Sequence, residues 1–441
     1  MDHPGRAGAA HAAVAGTDDY GSPAYRWYVV FVFMLIYACH SLDRGIPNIV
    51  VEPVKREFGL SDAEIGLFTG VSFGVAFALA ALPMGYLADR THRRNMLAAV
   101  MLLWSGCTAL GGIVRSYALL LLSRVGVGIG EAGAAPLALP MISDIFPPHR
   151  RAFAIGVFYM SVPIGAVVAN VAGGWVAEHF GWRAAFLMAG APGLLLAFVL
   201  LATVREPRRG GADGAEPNED GEPARIGAVL RFVVSQPGLL CLMGGCATMG
   251  LITITSHAWI GSFFIRVHGL NLTEVGLLLG AGNAVGGISA YLIIGALADR
   301  LGARDPRWPL RLVWLGALAA IAMALAMLFT PAIAVSVAAY FLVILLTNGY
   351  PPPTYAVLMG ATPAQMRGTI MSLLQLITNL VGFSVGPVVI GVLSDRFGGG
   401  TAIRYALASA LVFNLVAVAL FLAASRLLYG ANRAVADRTP S

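Results

Sequence analysis

Residues 121–142 read LLSRVGVGIGEAGAAPLALPMI. Within them Gly128-x-Gly130-x-x-Gly133 has the spacing of a dinucleotide-binding loop, and Glu131 sets an ionisable group among the glycines. A phosphate cradle of that kind needs a strand in front of it and a βαβ unit around it. Here the apolar run starts at Tyr117 and continues to Ile142 without a turn that would separate strand from helix. The stretch reads as one membrane-crossing helix with a carboxylate near its middle. The glycines thin that helix for close neighbours rather than cradling phosphate.

Composition supports this reading. Of 441 residues, 58% are hydrophobic and 12% charged, against about 25% charged in a soluble protein. Mean hydropathy is +0.76. Apolar blocks of about 20 residues, enough to cross a hydrocarbon core, recur twelve times between residues 27 and 428. The fold expected is an all-α membrane protein: twelve transmembrane helices in two six-helix pseudo-repeats. Its parts are a disordered cytoplasmic N-terminal tail (1–24), a six-helix bundle (25–203), a cytoplasmic central loop (204–236), a second six-helix bundle (237–428) and a cytoplasmic C-terminal tail (429–441). The first 24 residues lack the apolar core of a cleavable signal peptide. The central loop is too polar and too rich in Gly and Pro to pack as a core, apart from IGAVLRFVVSQ (226–236), which suits a short interfacial helix.

Most of the 29 Lys and Arg residues fall on the side shared with the termini; Lys55, Arg56, Arg115, Arg183, Arg266, Arg396 and Arg404 fall on the other. The positive-inside bias places both termini in the cytoplasm of a multi-pass protein of the cell (inner) membrane. The net charge of +6 is then loop arginine fixing topology, not a nucleic-acid footprint. Cys39, Cys107, Cys241 and Cys246 lie inside apolar blocks, as small buried side chains do, and none has a metal-ligand spacing with His. No Walker A motif, nucleophilic triad or metal-binding constellation appears. An enzyme is not indicated, and no cofactor or metal is expected.

The halves repeat. GYLADRTHRR (85–94) follows the second span and GALADRLGAR (295–304) follows the eighth. Two matches sharing G-x-L-A-D-R at corresponding places indicate parallel six-helix repeats. Fainter echoes, GGWVAEHFGWR and GVLSDRFGGG, follow spans five and eleven. In the first motif Gly85 admits a close neighbour. Asp89, with Arg90 and Arg93, can accept from a facing helix N-terminus or an arginine and latch two bundles on one side. Asp299 and Arg300 are the counterparts. The pattern resembles the loop motif of the major facilitator superfamily. LDRGIPNIV, LSDAEIGL, LLSRVGVGIGEAG and MISDIFPPHRRAFAIGVFYMSVPIG together resemble its spinster-like branch, over about residues 40 to 190. That resemblance implies export or uptake of lipid-like amphiphiles, such as lysolipids or sphingoid phosphates, coupled to an ion gradient.

The ionisable residues point the same way independently. His40, Asp43, Arg44, Arg124, Glu131 and His257 lie well inside spans. Each charge near the bilayer centre costs about 2.5–3.5 kcal/mol or more, so each should face a partner or a wet cavity. At about 1.5 Å per residue, Asp43 and Arg124 sit about 6–9 Å outward of the centre and can pair across the bundle. Glu131 falls near the centre, within reach of Arg44. His40 shares a face with both Asp43 and Arg44, either titrating or donating to Asp43 as a neutral group. A carboxyl held between burial and a neighbouring arginine can change protonation as a cavity switches sides. Asp43 and Glu131 are therefore the candidate proton carriers, with Arg44, Arg124 and His40 around them; the alternative is a permanently ionised structural network.

The second half holds only neutral polar groups within its spans. Tyr37, Tyr159, His257, Asn283, Asn348 and Tyr355, with Arg44, are the candidate substrate contacts. Few polar groups on an apolar wall suit an amphiphile better than a sugar. NGYPPPTYAV (348–357) breaks the tenth helix, as a gating hinge or a static kink. Gly165, Ala169 and Gly173, like Gly126, Gly130 and Ala134, recur every four residues and read as seams about which the halves rock. The function expected is a monomeric, proton-coupled secondary transporter working by alternating access, with a small amphiphilic solute and the lipid bilayer as its partners. An organic-anion or drug carrier of the same fold, with Arg44 meeting the anion, is the first alternative; a non-transporting receptor or scaffold is the second.

Overall fold

The computed structural model describes residues 20–208, 226–363 and 366–436, in which every regular element is helical. Parts of the expected tails and most of the expected central loop, residues 1–19, 437–441 and 209–225, lie outside the described residues. Eleven segments are long and apolar enough to cross a membrane. These are α1 (Pro23–Ile49), α2 (Asp62–Ala81, helical on to Arg90), α4 (Tyr117–Ile145), α5 (Phe153–Phe180), α6 (Trp182–Thr203), α7 (Pro237–His268), α8 (Leu272–Gly302), α9 (Trp308–Phe329), α10 (Ile333–Gly360), α11 (Thr369–Arg396) and α12 (Gly400–Tyr429, helical on to Ala436). The twelfth, α3 (Arg93–Gly111), starts on two arginines, which lower its apolar average. Ile226–Ser235 forms the short helix expected before α7.

Local chemistry marks the repeat. Both α2 and α8 open with a capping box: Ser61 with Glu64, and Asn271 with Glu274. In each, side chain and backbone satisfy one another's free N–H groups before the chain enters an apolar medium. Each of these two helices also carries a π-helical turn, Leu67–Val71 and Gly282–Gly287. The helix pairings recur too. α1 packs on α5 as α7 packs on α11, and α3 packs on α4 and α6 as α9 packs on α10 and α12.

Water cannot drive helices together inside a membrane, so close backbone approach must. Gly165 lies against the Ala38 carbonyl and Ser41, and Gly173 against Ile46, which seats α5 on α1. Gly126 and Gly130 lie against Cys107 and Trp104 of α3, while Gly128 turns to Phe73 of α2. Both expected seams therefore work inside the first half, not between the halves. The seams between halves are others. Gly66, Gly70 and Gly74 of α2 meet Phe383, Ser384 and Pro387 of α11, and Gly174 of α5 meets Gly276 of α8. These contacts start at the end of the molecule opposite the termini and reach only to mid-membrane. On the terminus side, no hydrogen bond or ion pair joins the two halves among the described residues.

Candidate functional site

Two helices are interrupted at corresponding depths. α4 is continuous over Tyr117–Glu131 and resumes at Ala134; α10 stops at Asn348 and resumes at Pro351. Interrupted helices at corresponding positions of the two repeats are where membrane bundles place polar sites. Glu131 is the last residue of its segment and only 1% exposed.

Glu131 gathers the α1 residues. Its Oε2 accepts from Arg44 Nε at 2.7 Å and lies 3.3 Å from His40 Nε2, while its Oε1 has no partner among the described residues. His40 stacks on Tyr37 at 4.4 Å and 10°, and Tyr37 meets the Tyr159 ring edge-on at 6.0 Å. Arg44 stands among the rings of Phe73 (4.9 Å), Phe77 (5.0 Å) and Phe383 (5.6 Å), the last from the second half. Its side chain is 25% exposed, and Nη1 and Nη2 make no hydrogen bond among the described residues. Arginine over aromatic faces keeps its in-plane N–H groups free for an anion.

The expected Asp43–Arg124 pair is not formed. Both are buried, yet both carboxylate oxygens of Asp43 and both Nε and Nη1 of Arg124 lack partners among the described residues. Successive side chains on a helix project about 100° apart. Asp43 therefore does not share the direction of Arg44 onto Glu131, and Arg124 lies 5.4 Å over Phe73, the ring that Arg44 also faces.

In the second half His257 contacts the Thr253 carbonyl through Nδ1 (2.7 Å) and Asn283 Oδ1 through Nε2 (3.3 Å). Tyr355 accepts from Gln375. Asn348 is half-buried at the α10 break.

The loop motif departs from expectation. Nothing lies within 4 Å of the position a Cβ would take on Gly85, so no helix crowds it. Arg90 lies 3.6 Å over Tyr86. Arg93 pairs with Asp144 of its own half at 2.6 Å, and its N–H donates to Glu206. The side chains of Asp299 and Arg300 are exposed and form no hydrogen bond or ion pair among the described residues. The Asp89 side chain lies outside the described residues. The motif arginine thus braces the first half, because the terminus ends of the halves stand apart.

The latch sits at the opposite end, in residues not singled out above. Asp62, fully buried at the start of α2, takes Arg266 of α7 through both oxygens (2.7 and 2.8 Å), Ser394 of α11 (2.6 Å) and Lys55. Arg266 also holds Glu52 at 2.8 Å. The carboxylate of Asp395 accepts from the N–H groups of Asp62 and Ala63 (2.9 and 2.8 Å). Glu178, ending α5, does the same for Leu272 at the start of α8 (2.9 Å). Both acids belong to the fainter echoes after spans five and eleven. Each sets a negative charge on the positive end of a helix from the other half. Beside this latch, Arg183 holds the Glu57 carboxyl below its ordinary range.

Two pseudo-equivalent bundles, sealed at one end, parted at the other and meeting over a buried acid–arginine pair, define a membrane transporter of two-bundle architecture. The profile of the Major Facilitator Superfamily matches residues 33–387, and the chain belongs to that superfamily; it is not an enzyme. It is 31% identical over 387 residues to an MFS-type efflux pump of Mycolicibacterium smegmatis, covering 86% of each chain. A bacterial homologue of the human lysosomal transporter Spinster, crystallised in an inward-facing and unoccupied conformation, superposes with a TM-score of 0.84 at 29% identity, over 92% of this chain and 98% of that one. The sphingosine-1-phosphate transporter of Danio rerio is 33% identical over 175 residues, 39% of this chain and 34% of its own length. The spinster-like resemblance read from the motifs is therefore found again in sequence and in fold.

Proposed function

We propose that the protein is a proton-coupled secondary transporter, without a cofactor, that moves an amphiphile with an anionic headgroup by alternating access. It works as a monomer in the inner membrane with its termini in the cytoplasm, so that the conformation described here opens inward. One observation carries this reading: Arg44 is tied through Nε to a buried carboxylate while its Nη groups stay free at the gap between the halves. A headgroup phosphate or carboxylate binding those groups competes with Glu131 for the arginine. Released from Arg44, Glu131 is a charge in an apolar site and takes a proton, for which Oε1 is open. Proton and substrate are thereby linked, each altering the hold of the other. Tyr37, Tyr159 and the Phe73–Phe77–Phe383 rings supply apolar surface, while His257 with Asn283, Asn348 and Tyr355 offer the second half's few hydrogen bonds.

The test is uptake into proteoliposomes under an imposed pH gradient, offering lysolipids, sphingoid phosphates, sugar acids and cationic drugs in parallel. Gradient-driven uptake of a lysolipid or sphingoid phosphate that Glu131→Gln abolishes is the expected result. Full transport by that variant removes Glu131 as the carrier, and transport of sugar acids alone overturns the amphiphile. An organic-anion or drug carrier is the second reading, favoured by the similarity to an efflux pump along most of both chains.

A further inference from the structure

Away from the gap, at the terminus end of the second bundle, α9 and α12 form an open cavity of about 320 Å³. It is lined by Arg307, Arg311, Trp314, Leu422, Ser425 and Arg426. Both helices pack within their own half, so the cavity belongs neither to the seam nor to the latch.

Its charge is unbalanced. Arg311 Nη1 pairs with Asp305 at 2.9 Å, and Arg307 Nη2 donates to the Tyr429 carbonyl at 3.1 Å. Arg426 is exposed and has no hydrogen bond or ion pair among the described residues. One carboxylate thus faces three guanidiniums. That carboxylate is itself engaged twice, since Asp305 also accepts the Arg307 N–H at 2.9 Å, so little negative charge is left to balance the guanidiniums. Concave, multiply donating surfaces of this kind take phosphate in preference to carboxylate or chloride, because several tetrahedral oxygens can be met at once.

The layering selects the source of the phosphate. Arg307 is the N-cap of α9 and Arg311 lies in its first turn, with Trp314 about one turn deeper. On α12, Leu422 lies deeper than Ser425 and Arg426. Below the cavity the same helices expose Leu315, Leu318 and Val416 at 41%, 46% and 43%. Going inward, the order is guanidinium with the Ser425 hydroxyl, then indole, then bare aliphatic surface. A phospholipid has that order, with a phosphodiester at the interface, a glycerol backbone below it and acyl chains beneath; a free phosphate needs only the first layer.

We infer that this cavity is a binding site for the headgroup of an anionic phospholipid in the leaflet on the terminus side. The lipid's acyl chains lie along the exposed faces of α9 and α12, and its phosphodiester bridges Arg311 of α9 and Arg426 of α12.

Native mass spectrometry on the purified full chain tests this, with phosphatidylglycerol and phosphatidylcholine added at equal mole ratio. Retained phosphatidylglycerol is expected in excess over phosphatidylcholine. Arg426→Gln, exposed and unpaired, and Arg311→Gln should each weaken retention by about five-fold. Arg404→Gln, at the far end of the molecule, should leave it unchanged. Equal retention of the two lipids overturns the site, as does undiminished retention in both Arg311→Gln and Arg426→Gln. Inorganic phosphate displacing the lipid at equal concentration would assign the cavity to a soluble phosphate instead. Thermal stabilisation by phosphatidylglycerol, lost in Arg426→Gln, gives a second readout that does not depend on ionisation.

Discussion

Two buried acid–arginine clusters among the described residues differ in who owns the partners. Around Glu131, every bonded group comes from α1 and α4 of the first half. Around Asp62, the arginine and the serine come from α7 and α11 of the second half. The first cluster can gain or lose a proton without parting the bundles. The second cannot survive their parting, since opening that end must break Arg266, Ser394 and Asp395 away from the start of α2. With Glu131 as the proposed proton carrier, chemistry and conformation would be carried by separate charges, and the aromatic ring of Phe383 beside Arg44 is a place where the two clusters meet.

Removing one partner from the Asp62 cluster should give the largest effect. Arg266→Gln leaves Asp62 buried with only Lys55 as a cation, and losing one member of a buried pair costs about 3–5 kcal/mol. The sealed conformation should lose roughly 10²- to 10³-fold in population relative to the alternative. Distances between spin labels at Arg56 and Arg404, on opposite halves of the sealed end, should lengthen; an unchanged distribution would show that the latch does not hold the seal. Asp62→Asn combined with Arg266→Gln should cost less than Arg266→Gln alone, because no bare charge remains.

The Glu131 cluster should respond in transport rather than in shape. Arg44→Lys keeps the charge but loses the Nε bond and the planar fork, and should weaken substrate binding roughly ten- to hundred-fold. Label distances at the sealed end should stay as in the unsubstituted protein. If they move as far as in Arg266→Gln, the two clusters are not separable and the comparison fails.

What the sequence revealed of these two regions differs for a physical reason. A carboxylate inside an apolar run is conspicuous, and helix rise alone brings Glu131 to the depth of Arg44. Asp62, Arg266 and Asp395 sit at span ends, where charge is ordinary, and their pairing depends on how two bundles close. The available signals were the acids Glu178 and Asp395 at matching places after spans five and eleven, and the capping boxes they cover. The glycine seams show the same limit. Gly165 and Gly173 were legible as small residues, but a four-residue period does not say which helix approaches, and the Gly66–Gly70–Gly74 series does the work between halves. Gly70→Ala would drive a methyl into the Phe383 carbonyl and the Pro387 ring, and should destabilise the sealed state by about 1–3 kcal/mol. Gly85→Ala meets nothing within 4 Å and should leave melting temperature in this conformation unaltered.

The smallest effect sharpens the boundary of the latch. Glu57 lies outside the spans on the short helix Val51–Phe58, bound to Arg183 Nη1 at 2.6 Å and Trp182 Nε1 at 2.7 Å. All three residues belong to the first half, so this pair should stabilise the bundle without favouring either conformation. Arg183 lowers the carboxyl from its ordinary 4.5. A depressed carboxyl contributes stability that is present above the unfolded value and lost as pH falls through the folded one. Melting of Glu57→Gln should therefore fall slightly below that of the unsubstituted protein at pH 7, and the difference should close as pH drops below 4.5. The pair is well exposed, so screening keeps the gap small and added salt should narrow it further. A label distance at the sealed end that shifts in Glu57→Gln would extend the latch to this pair and move the line between the two clusters.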